Sequence, residues 1–105
     1  MANEFGVMSD EQRAASRARA LEVRSQRADI KRQMKAGELS FAEVADKRGD
    51  VVVDRMPVVQ AIAAMPGYGR ATALRIMSDI GIDENRRMRG LGSRQLKALI
   101  EILDK

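Results

Sequence analysis

Three arginines within four residues, Arg86, Arg87 and Arg89 of the segment RRMRGLGSRQ, are the side chains of this sequence best suited to chemistry on another molecule. Each is a planar, permanently charged fork that matches the oxygens of a phosphate. Gly90 and Gly92 make the segment a loop, so the three can clamp phosphates together or enter a minor groove. Met88 and Leu91 interleave with them and anchor the loop with its apolar side down. Ser93 and Arg94 then open an apolar-periodic run, which places a helix N-terminus, with its partial positive charge, beside the cluster. The alternative is a solvated loop, but a purely structural reason for three clustered arginines is hard to state.

Residues 65 to 71, MPGYGRA, form the second candidate. Gly67 and Gly69 let the backbone approach another molecule closely, and Arg70 starts a helix whose first amides have no intrahelical acceptor. Such a turn can hold a phosphate and reads no bases. The same residues also read as a tight connector between helices, with Tyr68 plugging the core.

Other chemistry is scarce. The 105 residues contain no cysteine and no histidine, which removes disulfides, thiolate zinc sites and the commonest general bases. No metal or cofactor is expected, and an enzyme is not expected either. Acidic pairs such as Glu22 and Asp29 have no companion base or pocket, and Arg48-Gly49-Asp50 joins two helices rather than presenting an adhesion tripeptide. Aromatic residues are 3%, too few to stack single-stranded bases, so duplex nucleic acid fits better. The net charge of +4 favours a polyanionic partner. With no apolar leader and no run of roughly 18 apolar residues, the expectation is a cytoplasmic protein without a membrane partner.

The elements that must position these groups are helical. Ser9 with Gln12 supplies a capping box, and from Asp10 to about Ala36 there is neither Gly nor Pro, which predicts one long helix ended by Gly37. Ser40 with Glu43 repeats the box before a short helix, FAEVADK, with Phe41, Val44 and Ala45 inward. Asp50 caps VVVDRM, and Pro57 suits the first turn of VVQAIAAM, giving two helices or one bent helix. The valine run could be a strand, but no second strand exists to pair with it. Arg70 to Ile80 forms a helix closed by Gly81, with Leu74, Met77 and Ile80 inward. Ser93 caps a last helix whose Leu96, Leu99, Ile100 and Leu103 form a core stripe. The expected fold is all-α. Residues 1–8 are a mobile arm, residues 9–36 a long basic helix, and residues 37–105 a compact helical domain.

Charge is uneven along this plan. Residues 10–36 hold eight basic residues against four acidic, residues 37–65 three against five, and residues 66–105 eight against five. On the long helix Arg13, Arg17, Arg24, Lys31 and Lys35 fall within roughly 40° of one another, a stripe about 33 Å long. Glu11, Glu22 and Asp29 gather on another face. A solvated face is one reading; segregation by sign favours contact with DNA, since a face serving only solubility alternates its charges.

The run from IAAMPGYGRATALRIMSDIGI through RRMRGLGSRQLKALIEIL, behind a long helix beginning SDEQRAA, resembles the integration host factor family of actinobacteria over nearly the whole chain. The resemblance implies a helix-two-turns-helix element, which that family shares with a small-subunit ribosomal protein. It implies a nucleoid-associated protein that binds double-stranded DNA with little sequence preference, shapes chromosomes and assists phage integrases; a monomer is expected in solution. On that basis Arg86, Arg87 and Arg89 match the family's arginine cluster, Gly90, Gly92 and Arg94 complete the motif, and Gly67, Tyr68, Gly69 and Arg70 occupy its first turn. Gly67 and Tyr68 stand where other members carry Lys-Val, which favours amide over side-chain contact there. A ribosomal RNA-binding protein built on the same element is the competing function. It would be expected to end in a long basic tail, whereas this sequence runs to EILDK. A DNA glycosylase, the enzyme alternative, would need a base-flipping pocket in a larger body.

Overall fold

The computed structural model describes residues 9–104; the arm expected over residues 1–8 lies outside them. Helices account for every regular element of the described chain: α1 (Asp10–Lys35), α2 (Phe41–Ala45), α3 (Val51–Asp54), α4 (Val58–Ala63), α5 (Arg70–Ile80) and α6 (Ser93–Leu103), with a single 3₁₀ turn at Met88–Gly90 before α6. The fold is all-α, as its patterning requires.

The helix starts follow their caps. The Ser9 hydroxyl accepts from the Gln12 amide at 3.1 Å while Gln12 returns a bond to the Ser9 N–H at 2.8 Å. Ser40 and Glu43 do the same for α2, and the Asp50 carboxylate accepts from the Val52 amide at 2.9 Å. Pro57 then separates α3 from α4, taking an extended conformation at the cap of α4. The two-helix alternative is therefore the real one, and the valine run is no strand. Gly81, at φ 87°, closes α5 in a left-handed conformation that a side chain would strain. Two starts differ from expectation: Pro57 is the cap of α4 and not a residue of its first turn, and the last helix begins one residue off. Gly92, not Ser93, is the cap of α6; Gln95 Oε1 accepts the Gly92 N–H at 3.1 Å, and Ser93 is the first helical residue.

The core between these short helices is rich in methionine. Met34, Met56, Met77 and Met88 are fully buried among Phe41, Ile62 and Leu99. Their unbranched, polarisable chains adapt to gaps that β-branched residues could not fill. Met34 brings the last turn of α1 into this core, whereas residues 10–22 are exposed throughout. The molecule is correspondingly elongated, 56 × 27 × 24 Å, with the first half of α1 projecting from the body.

Two contacts close the chain on itself. The Asp104 carboxylate, just past α6, accepts from the amides of Phe41 and Ala42, both at 2.8 Å, and so caps α2 across 62 to 63 residues of sequence. The Tyr68 hydroxyl donates to the Ile102 carbonyl at 3.4 Å. The turn at 66–69 thus sits against the C-terminal end of α6.

Candidate nucleic-acid interface

The arginine loop is a held structure. The α3–α4 linker and the loop run antiparallel for one bridge, Pro57 against Arg87. Val58 N–H donates to the Arg86 carbonyl and Met88 N–H to the Met56 carbonyl, both at 2.9 Å. At the loop's entrance the Asn85 amide donates to Asp83 Oδ1 at 2.8 Å, and at its exit Arg48 Nη1 donates to the Leu91 carbonyl at 3.1 Å. Met88 is fully buried and Leu91 nearly so, which anchors the loop as its spacing predicts.

With Met88 inward, Arg86, Arg87 and Arg89 are turned outward and exposed. They line a groove of about 510 Å³ together with Arg55, Asp54, Asp83, Asn85 and Gly90. Arg87 donates through Nη1 to the Arg55 carbonyl, and Arg86 through Nη1 to the Gly90 carbonyl at 3.4 Å. The two aspartates are engaged elsewhere: Asp54 accepts from the Gly49 amide and Asp83 from the Asn85 amide, each at 2.8 Å. Among the described residues the one ion pair within 4.0 Å is Arg32 with Asp29, far from this groove in the chain. Four arginines therefore share one groove with two carboxylates and no ion pair within 4.0 Å, and their excess of positive charge attracts a polyanion.

Arg55 was invisible to spacing. It is the cap residue that ends α3, and only the bridge between the α3–α4 linker and the loop brings it beside Arg86 and Arg87. No periodicity links residue 55 to residue 87.

The remaining candidates are distributed as follows. Ser93 and Arg94 are exposed in the first turn of α6, next to the loop in sequence but outside the lining of the groove. Gly92 caps the same turn. The first turn is elsewhere: Tyr68 lies against the far end of α6, and nine residues from Ser93 to Ile102 correspond to about 14 Å of helix. Gly67 takes a positive φ of 83°, whereas Gly69 is extended at φ −117°, with open space where a Cβ would stand. Gly69 caps α5 without any side-chain bond, leaving the α5 start uncovered beside exposed Arg70. Tyr68 is half-buried, with its hydroxyl turned to Ile102, so the connector reading accounts for its side chain and only backbone remains for an anion.

On α1, Arg13, Arg17, Arg24 and Lys35 are exposed and Lys31 is half-buried. The stripe does not stand free along its whole length. Lys31 and Lys35 border a depression with Arg32, Gln60, Ala63 and Ala64, and Arg24 lines a groove between α1 and α3. Arg19, Arg27 and Arg55 line that second groove too, and none of these three belongs to the stripe.

Fold and groove together define an all-helical module of the two-turn type with an arginine-lined groove. Residues 34–103 match the family described as the S13-like H2TH domain. The chain is 40% identical over 98 residues to the integration host factor of Mycolicibacterium smegmatis, covering 92% of this chain and 93% of that one. It is 40% identical over 95 residues to the integration host factor of Mycobacterium tuberculosis, covering 90% of each. For the Streptomyces coelicolor integration host factor the values are 39% over 94 residues, 88% of this chain and 87% of that one. Among solved structures, sIHF bound to an 8-base-pair palindromic DNA superposes with a TM-score of 0.79 at 34% identity, over 82% of this chain and 98% of that one. The chain belongs to the integration host factor family of actinobacteria.

Among the described residues, no helix is long and apolar enough to cross a membrane.

Proposed function

We propose that this protein is an architectural binder of double-stranded DNA, acting in the cytoplasm on the nucleoid, with contacts mainly to phosphates and little preference for sequence. Arg86, Arg87 and Arg89 grip the backbone; Gly90, Gly92, Ser93 and Arg94 shape and extend that grip at the start of α6. The turn Gly67–Arg70 offers amides at the start of α5 to a further phosphate, and the α1 stripe of Arg13, Arg17, Arg24, Lys31 and Lys35 adds a second basic region. Two regions on one monomer can bend, loop or bridge DNA, the service that a phage integrase needs from a partner that shapes its substrate. The role is architectural rather than catalytic.

The observation that carries this reading is the outward display of three arginines around a fully buried Met88, on a loop fastened to the α3–α4 linker. The sIHF relative solved on duplex DNA supports it. A mobility-shift competition between a random duplex and a structured RNA of equal length tests it. Preference for the duplex is expected; preference for the RNA by more than about tenfold, or about 1.4 kcal/mol, would return the protein to the ribosomal alternative.

A further inference from the structure

The groove between α1 and α3 is the larger of the two arginine grooves, about 640 Å³, and no acidic residue lines it. Arg24 and Arg27 have no carboxylate three or four residues away on α1 in either direction. Glu22, three residues beyond Arg19, is occupied by the Gln26 carboxamide at 3.3 Å. Arg27 is half-buried, and its Nε is shut off from solvent with no hydrogen-bond partner among the described residues. An unpartnered buried donor is costly in the free protein, and the positive charge of Arg27 has no carboxylate one turn away on α1 to answer it, which leaves it open to a phosphate. The walls between the arginines are small or apolar: Ser16, Ala20, Val23 and Val51.

Arg55 lines this groove and also the loop groove of Arg86, Arg87 and Arg89. The two basic regions, distant in sequence, therefore meet at one residue. Together they hold seven arginines against two aspartates, both of which already accept backbone amides. Arg19 to Arg27 spans about 12 Å of helix, the axial rise of about three to four nucleotides of one strand at about 3.4 Å each.

We infer that the two grooves are one phosphate track joined at Arg55, so that α1 lies along the same duplex that the arginine loop grips, with Arg19, Arg27 and Arg55 as further contacts. This rests on the DNA-binding reading above and deepens it. The edge of α1 that lies along this duplex is then the one turned toward α3; the stripe, which shares only Arg24 with it, is left for a further stretch of DNA. A small phosphorylated ligand is disfavoured because the arginines are spread over two grooves that share Arg55, not gathered around one enclosed site.

The test uses the full chain at excess over a trace fluorescent duplex of about 16 base pairs, about 54 Å at about 3.4 Å per base pair, which matches the 56 Å long axis of the protein. Under these conditions a second duplex is too dilute to occupy the α1 groove. Any contribution of that groove to affinity must then come from the duplex on the loop. Arg55→Gln, the pair Arg24→Gln with Arg27→Gln, and a loop variant with Arg86, Arg87 and Arg89 all changed to Gln are titrated by anisotropy across salt. Gln keeps helix propensity, and circular dichroism checks that α1 persists. The expected result is a salt slope shallower by about 0.9 for each phosphate released, about two for the pair and about one for Arg55→Gln. A wild-type slope and affinity for the pair, with loss of binding in the loop variant, would overturn the single track and leave the loop reading standing. Wild-type binding by the loop variant would overturn the loop reading, and the track with it.

Discussion

The Arg86 side chain lies across Gly90. Its Nη1 donates to the Gly90 carbonyl at 3.4 Å, and a Cβ built on Gly90 would stand 2.8 Å from Arg86 Cδ and 3.2 Å from Nη1. Gly90 does not adopt a positive φ, so its lack of a side chain serves the arginine and not the turn. Gly90→Ala is expected to displace the guanidinium and weaken duplex binding about three- to tenfold, on the order of 1 kcal/mol, with the melting temperature nearly unchanged. In an Arg86→Gln background the same substitution should have no further effect on affinity. A full additive loss in that double variant would show that Gly90 acts through something other than Arg86.

Contacts to phosphates carry no direct sequence information, so affinities for unrelated duplexes should agree within about tenfold. If about six phosphates are neutralised, log affinity should fall against log salt with a slope near about −5. A titration series from low to physiological salt measures both. A flat response contradicts an electrostatic grip.

Reversing Arg86, Arg87 and Arg89 together to Glu should abolish binding while the helical circular dichroism signal survives. Met88, Leu91 and the two backbone bonds to the linker still hold the loop in that variant. A modest stability loss, about 1 kcal/mol, is expected because the bond from Arg87 to the Arg55 carbonyl disappears. Retained binding would reduce the cluster to a solvated loop.

The two halves of α1 should behave differently on truncation. A variant beginning at Val23 removes only exposed helix among the described residues and is expected to melt within a few degrees of the full chain. A fragment beginning near Ser40 loses Met34, which is fully buried, and should be destabilised by about 2–5 kcal/mol. Thermal melts of the two fragments decide this, and equal stability would mean that α1 is an appendage along its whole length.

Asp104 joins the end of the fold to its middle by accepting the amides of Phe41 and Ala42. Asp104→Ala should cost about 1–2 kcal/mol in chemical denaturation, the worth of a helix cap, without altering the salt slope of DNA binding. A changed slope would place this carboxylate near the DNA instead.

Much of this molecule is legible in the sequence, because it is written in local chemistry. Capping boxes at Ser9 and Ser40, the Asp50 cap, Gly81 after α5 and the alternation of arginine with Met88 each depend on residues within about four positions of one another, where helix geometry alone dictates neighbours. The sequence by itself therefore determined an all-helical fold, an outward-facing arginine cluster, and a glycine-paired turn before α5. Tertiary structure decided what those pieces do together. It set the first turn at one end of α6 and the arginine loop at the other, turned the Tyr68 hydroxyl to Ile102, and sank Met34 into the core so that α1 could not be a detached basic rod. It also brought Arg55 between two grooves and aligned Arg19 and Arg27 with it. Those neighbours are 28 to 36 residues apart in sequence, and no helical period spans such a distance. Only the packing of α3 against α1 on one side, and of its linker against the loop on the other, puts their charges on one surface.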